Sequence, residues 1–394
     1  MPVHDLRDGD RQGARRRSES GALSPVAIVT GAGGQDGYIL TERLLSEGYA
    51  VYATVRRAAS GDELLRIPSS GRLTVRVVDL GLPSPVASLI GEVQPDELYN
   101  LAGQSSVSAS FVDPTGTWRT NADAVQEMLE AIRHHSPATH FYQSSSSEMF
   151  GSLPGKAVVH DEDSQLNPQS PYATAKAAAH LLCDAYRRAY GLRIACGILF
   201  NHESRRRPPE FLTRKVVDHV KRIRSLDAAE LRHAPPLAVG NLAAQRDWGF
   251  APDYVDGIVR ITRQIAVRAQ MLGQPAQPDV GASYTDYVLG TGQLHAVWEL
   301  IDRAFALAEL SLDWDRSADD PTRWTARIRR TGTIAIVVDP RLIRPTDPLA
   351  ILANPARARR DLGWAPRTGI DRFLIDMIDA KTPRHKKRPP ASDL

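Results

Sequence analysis

The sequence predicts an α/β chain: a doubly wound parallel sheet followed by a smaller, discontinuous C-terminal lobe. Three observations carry this expectation. Short β-branched runs alternate with longer amphipathic stretches through the first half. A glycine-rich turn joins the first run to the first helical stretch. Beyond Phe200 the alternation weakens, while Pro and Arg become frequent.

In chain order, buried strands are expected at Val26–Thr30, Ala50–Val55, Leu73–Val78, Glu97–Leu101, His140–Ser144 and Ile194–Phe200. Helical periodicity fills most of the intervals, at Gly37–Glu47, Val86–Gly91, Thr117–His134 and Pro171–Tyr190. Such alternation builds βαβ units and parallel strands, and ligands bind beyond the carboxyl ends of strands so arranged. Residues 25–200 are therefore the expected dinucleotide-binding domain. Residues 201–380 supply mainly the second lobe, with segments returning to the first. Residues 1–24 read as a disordered arm, and 381–394 as a basic tail.

Composition bounds the rest. The 394 residues are 42% hydrophobic and 24% charged, enough to bury a core without disulfides or a structural metal. The two cysteines, Cys183 and Cys196, both fall in apolar-periodic stretches. That excludes a disulfide scaffold and a cysteine-rich zinc module, and it fits a reducing, cytoplasmic setting. With 49 basic and 46 acidic residues the net charge is +3, too little for a nucleic-acid-binding field. No apolar run reaches the length of about 18 residues that a membrane span needs. No apolar segment follows Arg15–Arg17, so a secretory signal is not expected.

The strand Val26–Thr30 runs straight into Gly31-Ala32-Gly33-Gly34-Gln35-Asp36-Gly37. Glycines at 31, 34 and 37 allow a sharp turn, close approach to a pyrophosphate and tight helix–sheet packing. The helix amino end then offers free N–H groups to phosphate. Gly31, Gly34, Gln35, Asp36 and Gly37 are accordingly the expected cofactor cradle. The second strand ends in Arg56-Arg57, where arginine suits the 2′-phosphate of NADP and an acid would suit NAD. Asp79 and Leu80, closing the third strand, fall where the adenine is expected.

Tyr172 and Lys176 stand four residues apart, on one face of a helix. A free phenol, with a pKa of about 10, is a poor base at neutral pH. A neighbouring ammonium and a cationic nicotinamide are expected to lower it, so that it can take a proton from a sugar hydroxyl. Upstream, Ser146 and Glu148 leave a strand at its carboxyl end, where a partly desolvated carboxylate can serve as acid and base in turn. Metal chemistry is not expected.

These residues resemble the extended short-chain dehydrogenase/reductase superfamily, a Rossmann-fold group, and within it the GDP-mannose 4,6-dehydratase family. The likeness rests on Thr30-Gly31 through Gly37, Val55-Arg56-Arg57, Leu98-Tyr99-Asn100-Leu101, Phe141-Tyr142-Gln143 and Ser170-Pro171-Tyr172 with Lys176. It continues in Gly197 through Ser204, Thr213-Arg214-Lys215, Gln245 through Gly249, Asp253-Tyr254-Val255 and Arg344-Pro345-Thr346, spanning about 26–380. The resemblance implies an internal redox dehydration without net use of NADP. Tyr172, aided by Lys176, takes the O4 proton as C4 gives up hydride. Glu148 removes the C5 proton, Ser146 and Glu148 manage the departing water, and hydride returns to C6. It further implies that Ser105, Ser106, Asn201, Lys215, Arg246, Arg344 and Asp347 face the sugar nucleotide, and that the chain forms a homodimer or homotetramer.

Several positions depart from the family pattern. Ser146 replaces Thr, Ser105-Ser106-Val107 replaces Ser-His-Val, Arg205 and Pro208 replace Pro and Gly, and Asp347 replaces Glu. Another sugar nucleotide, or a nucleoside sugar from specialised metabolism, therefore stays open as substrate. The other readings are a sugar-nucleotide epimerase or decarboxylase using the same Tyr/Lys pair, and a catalytically silent NADP-sensing protein. Nucleic acid and membrane are not expected partners.

Overall fold

The computed structural model describes residues 24–152, 158–272, 285–343 and 350–380. Seven parallel strands form the main sheet: β1 Val26–Thr30, β2 Ala50–Val55, β3 Leu73–Val77, β4 Glu97–Asn100, β5 His140–Ser146, β6 Ile194–Leu199 and β7 Tyr287–Leu289. They lie in the order β7-β6-β5-β4-β1-β2-β3. The first six stand where their β-branched runs predict, but β3, expected to be buried, is the edge strand and has no buried residue, because it has a neighbour on one side only. Strands β1, β4 and β6 are buried throughout, the reason their sequences read as near-continuous apolar runs. β1 pairs with β2 on one side and β4 on the other. The strand order reverses there, opening a crevice beyond the carboxyl ends of β1 and β4.

Helices cover both faces. On one face lie α1 (Gln35–Ser46) and α6 (Ala251–Leu272), burying Leu40, Leu44, Tyr254 and Ile258. On the other lie α2 (Pro85–Val93), α3 (Ala124–His135) and α4 (Pro171–Tyr190), burying Val86, Ile90, Met128 and Cys183. The helix expected over Thr117–His134 is broken into a short α segment at Pro114–Trp118, a π turn at Arg119–Asp123 and then α3. α4 is complete, with the Ser170 hydroxyl accepting from the Ala173 N–H, Pro171 in the first turn and Gly191 in the left-handed conformation at its end.

A separate apolar cluster joins α5 (Leu212–Ser225) to the helices Val297–Leu307 and Ile370–Asp379, through Val216, Val220, Leu300, Phe305 and Phe373. A four-stranded sheet, Leu312–Asp315, Thr325–Ile328, Ile334–Val338 and Leu237–Val239, completes that layer. The chain then returns to the main sheet. Trp364 is buried against Tyr254, and its indole N–H donates to the Asp253 carbonyl at 2.8 Å. Among the described residues no helix is long and apolar enough to cross a membrane. The arm and the basic tail lie outside the described residues.

Candidate active site

The glycine turn is as tight as its sequence demands. Gly31 has φ +67°, and a Cβ there would lie 2.8 Å from Ala102 Cα. A Cβ on Gly37 would come within 2.3 Å of the Gly31 carbonyl oxygen. Gly34 starts α1 with no side chain capping it, so the first-turn N–H groups are left to a ligand. The Ala32 N–H donates to the Thr54 carbonyl at 3.0 Å, which brings the end of β2, with exposed Arg56 and Arg57, beside the turn. Asp79 lies at the end of β3, where its carboxylate accepts from the Gly81 N–H at 2.9 Å. Leu80 packs against the sheet core. A dinucleotide fits this cradle because backbone, not Cβ atoms, forms its wall.

The side chains of Gln35 and Asp36 turn elsewhere. The Gln35 amide donates to the His202 carbonyl at 3.0 Å and accepts from the Ser204 hydroxyl at 2.9 Å. The Asp36 carboxylate meets His202 Nε2 at 2.8 Å. Both side chains are thus engaged by the segment that follows the last residues of β6.

The reacting groups gather at the carboxyl end of β5. Ser146 ends the strand, its hydroxyl accepting from the Glu148 N–H at 3.3 Å and lying close enough to the Tyr172 phenol to favour its ionised form. Glu148 sits in the 3₁₀ turn Ser147–Phe150 and is half-buried. Tyr172 and Lys176 lie on the inner face of α4, each 7% exposed. The Lys176 ammonium donates to the Ser144 carbonyl at 2.9 Å.

Electrostatics correct one expectation. Burial pushes the Tyr172 phenol up to about 12, the Ser146 hydrogen bond and the Arg207 charge opposing it and the Glu148 charge adding to it. Burial also pushes Lys176 down to about 8. The expected lowering of the phenol pKa by Lys176 is therefore absent from the protein by itself: desolvation dominates, and the ammonium is committed to a carbonyl.

Elsewhere the expected residues are dispersed. Ser105 is exposed, whereas Ser106 caps the helix Val107–Val112 by accepting from the Ala109 N–H at 3.2 Å. Asn201 is half-buried, two residues beyond the end of β6, in a strand paired with Trp248–Phe250. Lys215 is exposed on α5, and Arg246 is buried, donating to the Gln245 carbonyl at 2.8 Å. Arg344 and Asp347 lie outside the described residues.

Two groups escaped the sequence reading. Asn121, in the π turn, donates to the Gln104 carbonyl at 3.0 Å and leaves its buried carbonyl oxygen without a partner among the described residues. Arg207 forms a 3.2 Å ion pair with buried Glu203 and lies over the Phe211 ring. Neither carries a spacing signal that sequence could have exposed.

With this geometry in view, relatedness to known proteins is decisive. The sequence model of the family "GDP-mannose 4,6 dehydratase" matches residues 28–377. The chain belongs to the GDP-mannose 4,6-dehydratase family. It is 34% identical to GDP-mannose 4,6 dehydratase 1 of Arabidopsis thaliana over 366 residues, covering 90% of this chain and 89% of that one. It is 32% identical to the GDP-mannose 4,6 dehydratase of Homo sapiens, covering 95% of each. The fold of this family member also matches dTDP-glucose 4,6-dehydratase from Bacillus anthracis in complex with NAD. There the TM-score is 0.67 and the identity 20%, over 90% of this chain and 96% of that one. A second structural match is RMD from Pseudomonas aeruginosa complexed with NADPH, with a TM-score of 0.63 and 21% identity, over 90% and 98%.

Proposed function

We propose that this chain is a sugar-nucleotide 4,6-dehydratase with GDP-mannose as its substrate and NADP as its cofactor. The observation that carries the reading is the grouping of Ser146, Glu148, Tyr172 and Lys176 at the end of β5, in a chain of this family. When bound, the cofactor accepts hydride from the sugar and returns it. Gly31, Gly34 and Gly37 would hold it through the main chain, and Arg56 and Arg57 are suited to a 2′-phosphate.

The protein's own groups handle protons. Tyr172 takes the proton of the sugar hydroxyl, and the neighbouring Ser146 hydroxyl favours the developing phenolate. Burial holds that phenol up to about 12 in the protein alone, and the positive charge of a bound oxidised cofactor would favour its ionised form. Lys176, fixed by the Ser144 carbonyl, contributes positive charge and orientation. Glu148 is half-buried at the mouth of the site, suited to remove a carbon-bound proton and then to protonate the departing hydroxyl.

Ser106 favours a second reading at the level of substrate. Where the family carries histidine this chain has a serine committed to a helix cap, so the sugar meets a smaller and less basic neighbour. Another nucleotide hexose fits that change.

Incubation with a panel of sugar nucleotides and NADP+, without added reductant, tests both readings. Loss of one water from GDP-mannose, with deuterium moving from C4 to C6, is expected. Conversion of a different sugar nucleotide alone selects the second reading. Deuterium retained at C4 or lost to solvent rules out 4,6-dehydration.

A further inference from the structure

The first helix of the dinucleotide domain grips the chain that leaves β6. Gln35 is 7% exposed, and both ends of its amide are used: Nε2 donates to the His202 carbonyl and Oε1 accepts from the Ser204 hydroxyl. Beside it, Asp36 Oδ2 lies 2.8 Å from His202 Nε2, while His202 Nδ1 lies 2.7 Å from the Phe200 carbonyl. Both partners of the imidazole are acceptors, so both ring nitrogens carry protons and the ring is an imidazolium. Burial opposes that charge, but the charge and hydrogen bond of Asp36 raise the imidazole above its ordinary range.

His202 is further held by stacking on Tyr254, with centroids 4.5 Å apart. Gly249, its partner across the short parallel pair, leaves no room for a Cβ, which would lie 2.4 Å from the Tyr254 ring. Three contacts thus fix Asn201–Ser204 relative to the start of α1. The same segment carries Glu203, and through it Arg207, toward the Tyr172 phenol.

We propose that Gln35 and Asp36 are positioning residues for the substrate side of the site, clamping Asn201–Ser204 through His202 and Ser204, and that their side chains contribute little to cofactor affinity. The inference rests on the proposed function, since it requires a nucleotide sugar to meet Asn201. The clamp joins the two ligands' supports mechanically. The main chain of Gln35 and Asp36 forms the cofactor cradle, while their side chains hold the segment expected to receive the substrate.

The test compares Asp36→Ala, Gln35→Ala and Asp36→Asn with wild type, measuring NADPH affinity by fluorescence and GDP-mannose turnover by initial rates. Both alanine variants are expected to raise KM for GDP-mannose by about tenfold, the cost of losing a charge-assisted or fully buried hydrogen bond. NADPH affinity is expected to stay within about twofold of wild type, as both side chains are engaged by the segment that follows β6 and phosphate meets main-chain N–H groups. Asp36→Asn is expected to restore near-normal KM, because an amide can donate to Nε2 of a neutral imidazole whose Nδ1–H keeps the Phe200 carbonyl. Weaker NADPH binding with unchanged KM overturns the proposal. So does equal loss of both, or an asparagine variant no better than alanine.

If wild type converts no sugar nucleotide, the functional reading falls, and amide exchange judges the clamp instead. Faster exchange at 201–204 in Asp36→Ala but not in Asp36→Asn supports it. Equal exchange in the two variants overturns it.

Discussion

The Lys176 ammonium donates to the main-chain carbonyl of Ser144 at 2.9 Å, tying the α4 helix to the strand that ends in Ser146. The contact holds the helix beside the carboxyl end of the strand, where Tyr172 and Ser146 are neighbours. It also leaves the lysine buried, with burial lowering it from 10.5 to about 8.

That lowering sets a pH window. Between about 8 and 10.5 the unfolded chain holds a proton that the folded chain has released, so stability rises with pH across the window and this contribution is lost as pH falls through 8. Tyr172, raised by burial from 10.0 to about 12, acts in the opposite sense: the folded chain keeps a proton the unfolded chain loses, so stability falls between those values. Urea titrations of cofactor-free protein should show the first slope reduced in Lys176→Met and the second reduced in Tyr172→Phe, other tyrosines raised by burial and Lys221 keeping the remainder. Unchanged slopes in both variants contradict the assignment.

Glu148→Gln should separate the two halves of the reaction. The phenol, the serine and the cofactor cradle are untouched, so a bound substrate still reduces NADP+ in a single turnover. Overall dehydration should fall by about 10²–10⁴-fold, the scale of a lost acid–base group. Absorbance at the reduced-cofactor band, followed with product analysis by mass spectrometry, distinguishes these steps. Full dehydration by the variant excludes Glu148 as the carbon acid's base.

Gly37→Ala should unsettle the cradle. Its Cβ would lie 2.3 Å from the Gly31 carbonyl oxygen and 2.7 Å from Ala32 Cα, and both neighbours are backbone that cannot swing aside. Overpacking of this kind costs about 1–3 kcal/mol. A lower urea midpoint together with weaker NADPH binding is expected, and a wild-type midpoint counts against a tight turn.

The paired arginines at the end of β2 should decide cofactor choice. Replacing Arg56 and Arg57 together by alanine is expected to weaken NADPH by about tenfold or more, through lost charge-assisted contacts, while NADH binding changes little. Parallel titrations of both dinucleotides check this. Equal losses for the two would assign the arginines no role in reading the 2′-phosphate.

Much of this was legible in the sequence, for a local reason. The strands β1, β2, β4, β5 and β6 are short apolar runs whose burial needs no partner to be guessed, whereas β3 lies at the sheet edge with no buried residue. The Tyr172–Lys176 spacing is imposed by a single helix turn. The glycine turn is read from three residues and their flanks. What was not legible is long-range. His202 meets Asp36 across 166 residues of chain, so the aspartate reads as a cradle residue until the fold shows where its side chain goes. β7 is three residues long and lies beyond the region of clear alternation. The π turn that places Asn121 interrupts an otherwise ordinary helical pattern, and the energetic preference for it comes from tertiary packing rather than composition. The raised phenol pKa likewise follows from burial, which spacing alone does not measure.

The strand that ends at the site has one further property. Ser144 through Ser147 are four identical residues in a row, so sliding β5 by one position would present the same hydroxyl to Tyr172. Ser145 itself faces α4, the helix that carries Tyr172, and its hydroxyl pairs there with His180 Nδ1 at 3.0 Å. Misalignment must therefore be resisted upstream, by residues that differ from their neighbours. Phe141 and Tyr142 pack into opposite apolar layers, and Gln143 accepts from the Asn100 amide at 2.8 Å. A slip by one residue would exchange the two aromatic rings between layers and break that amide pair. The placement of the reactive hydroxyl is thus encoded in three residues that take no part in the chemistry.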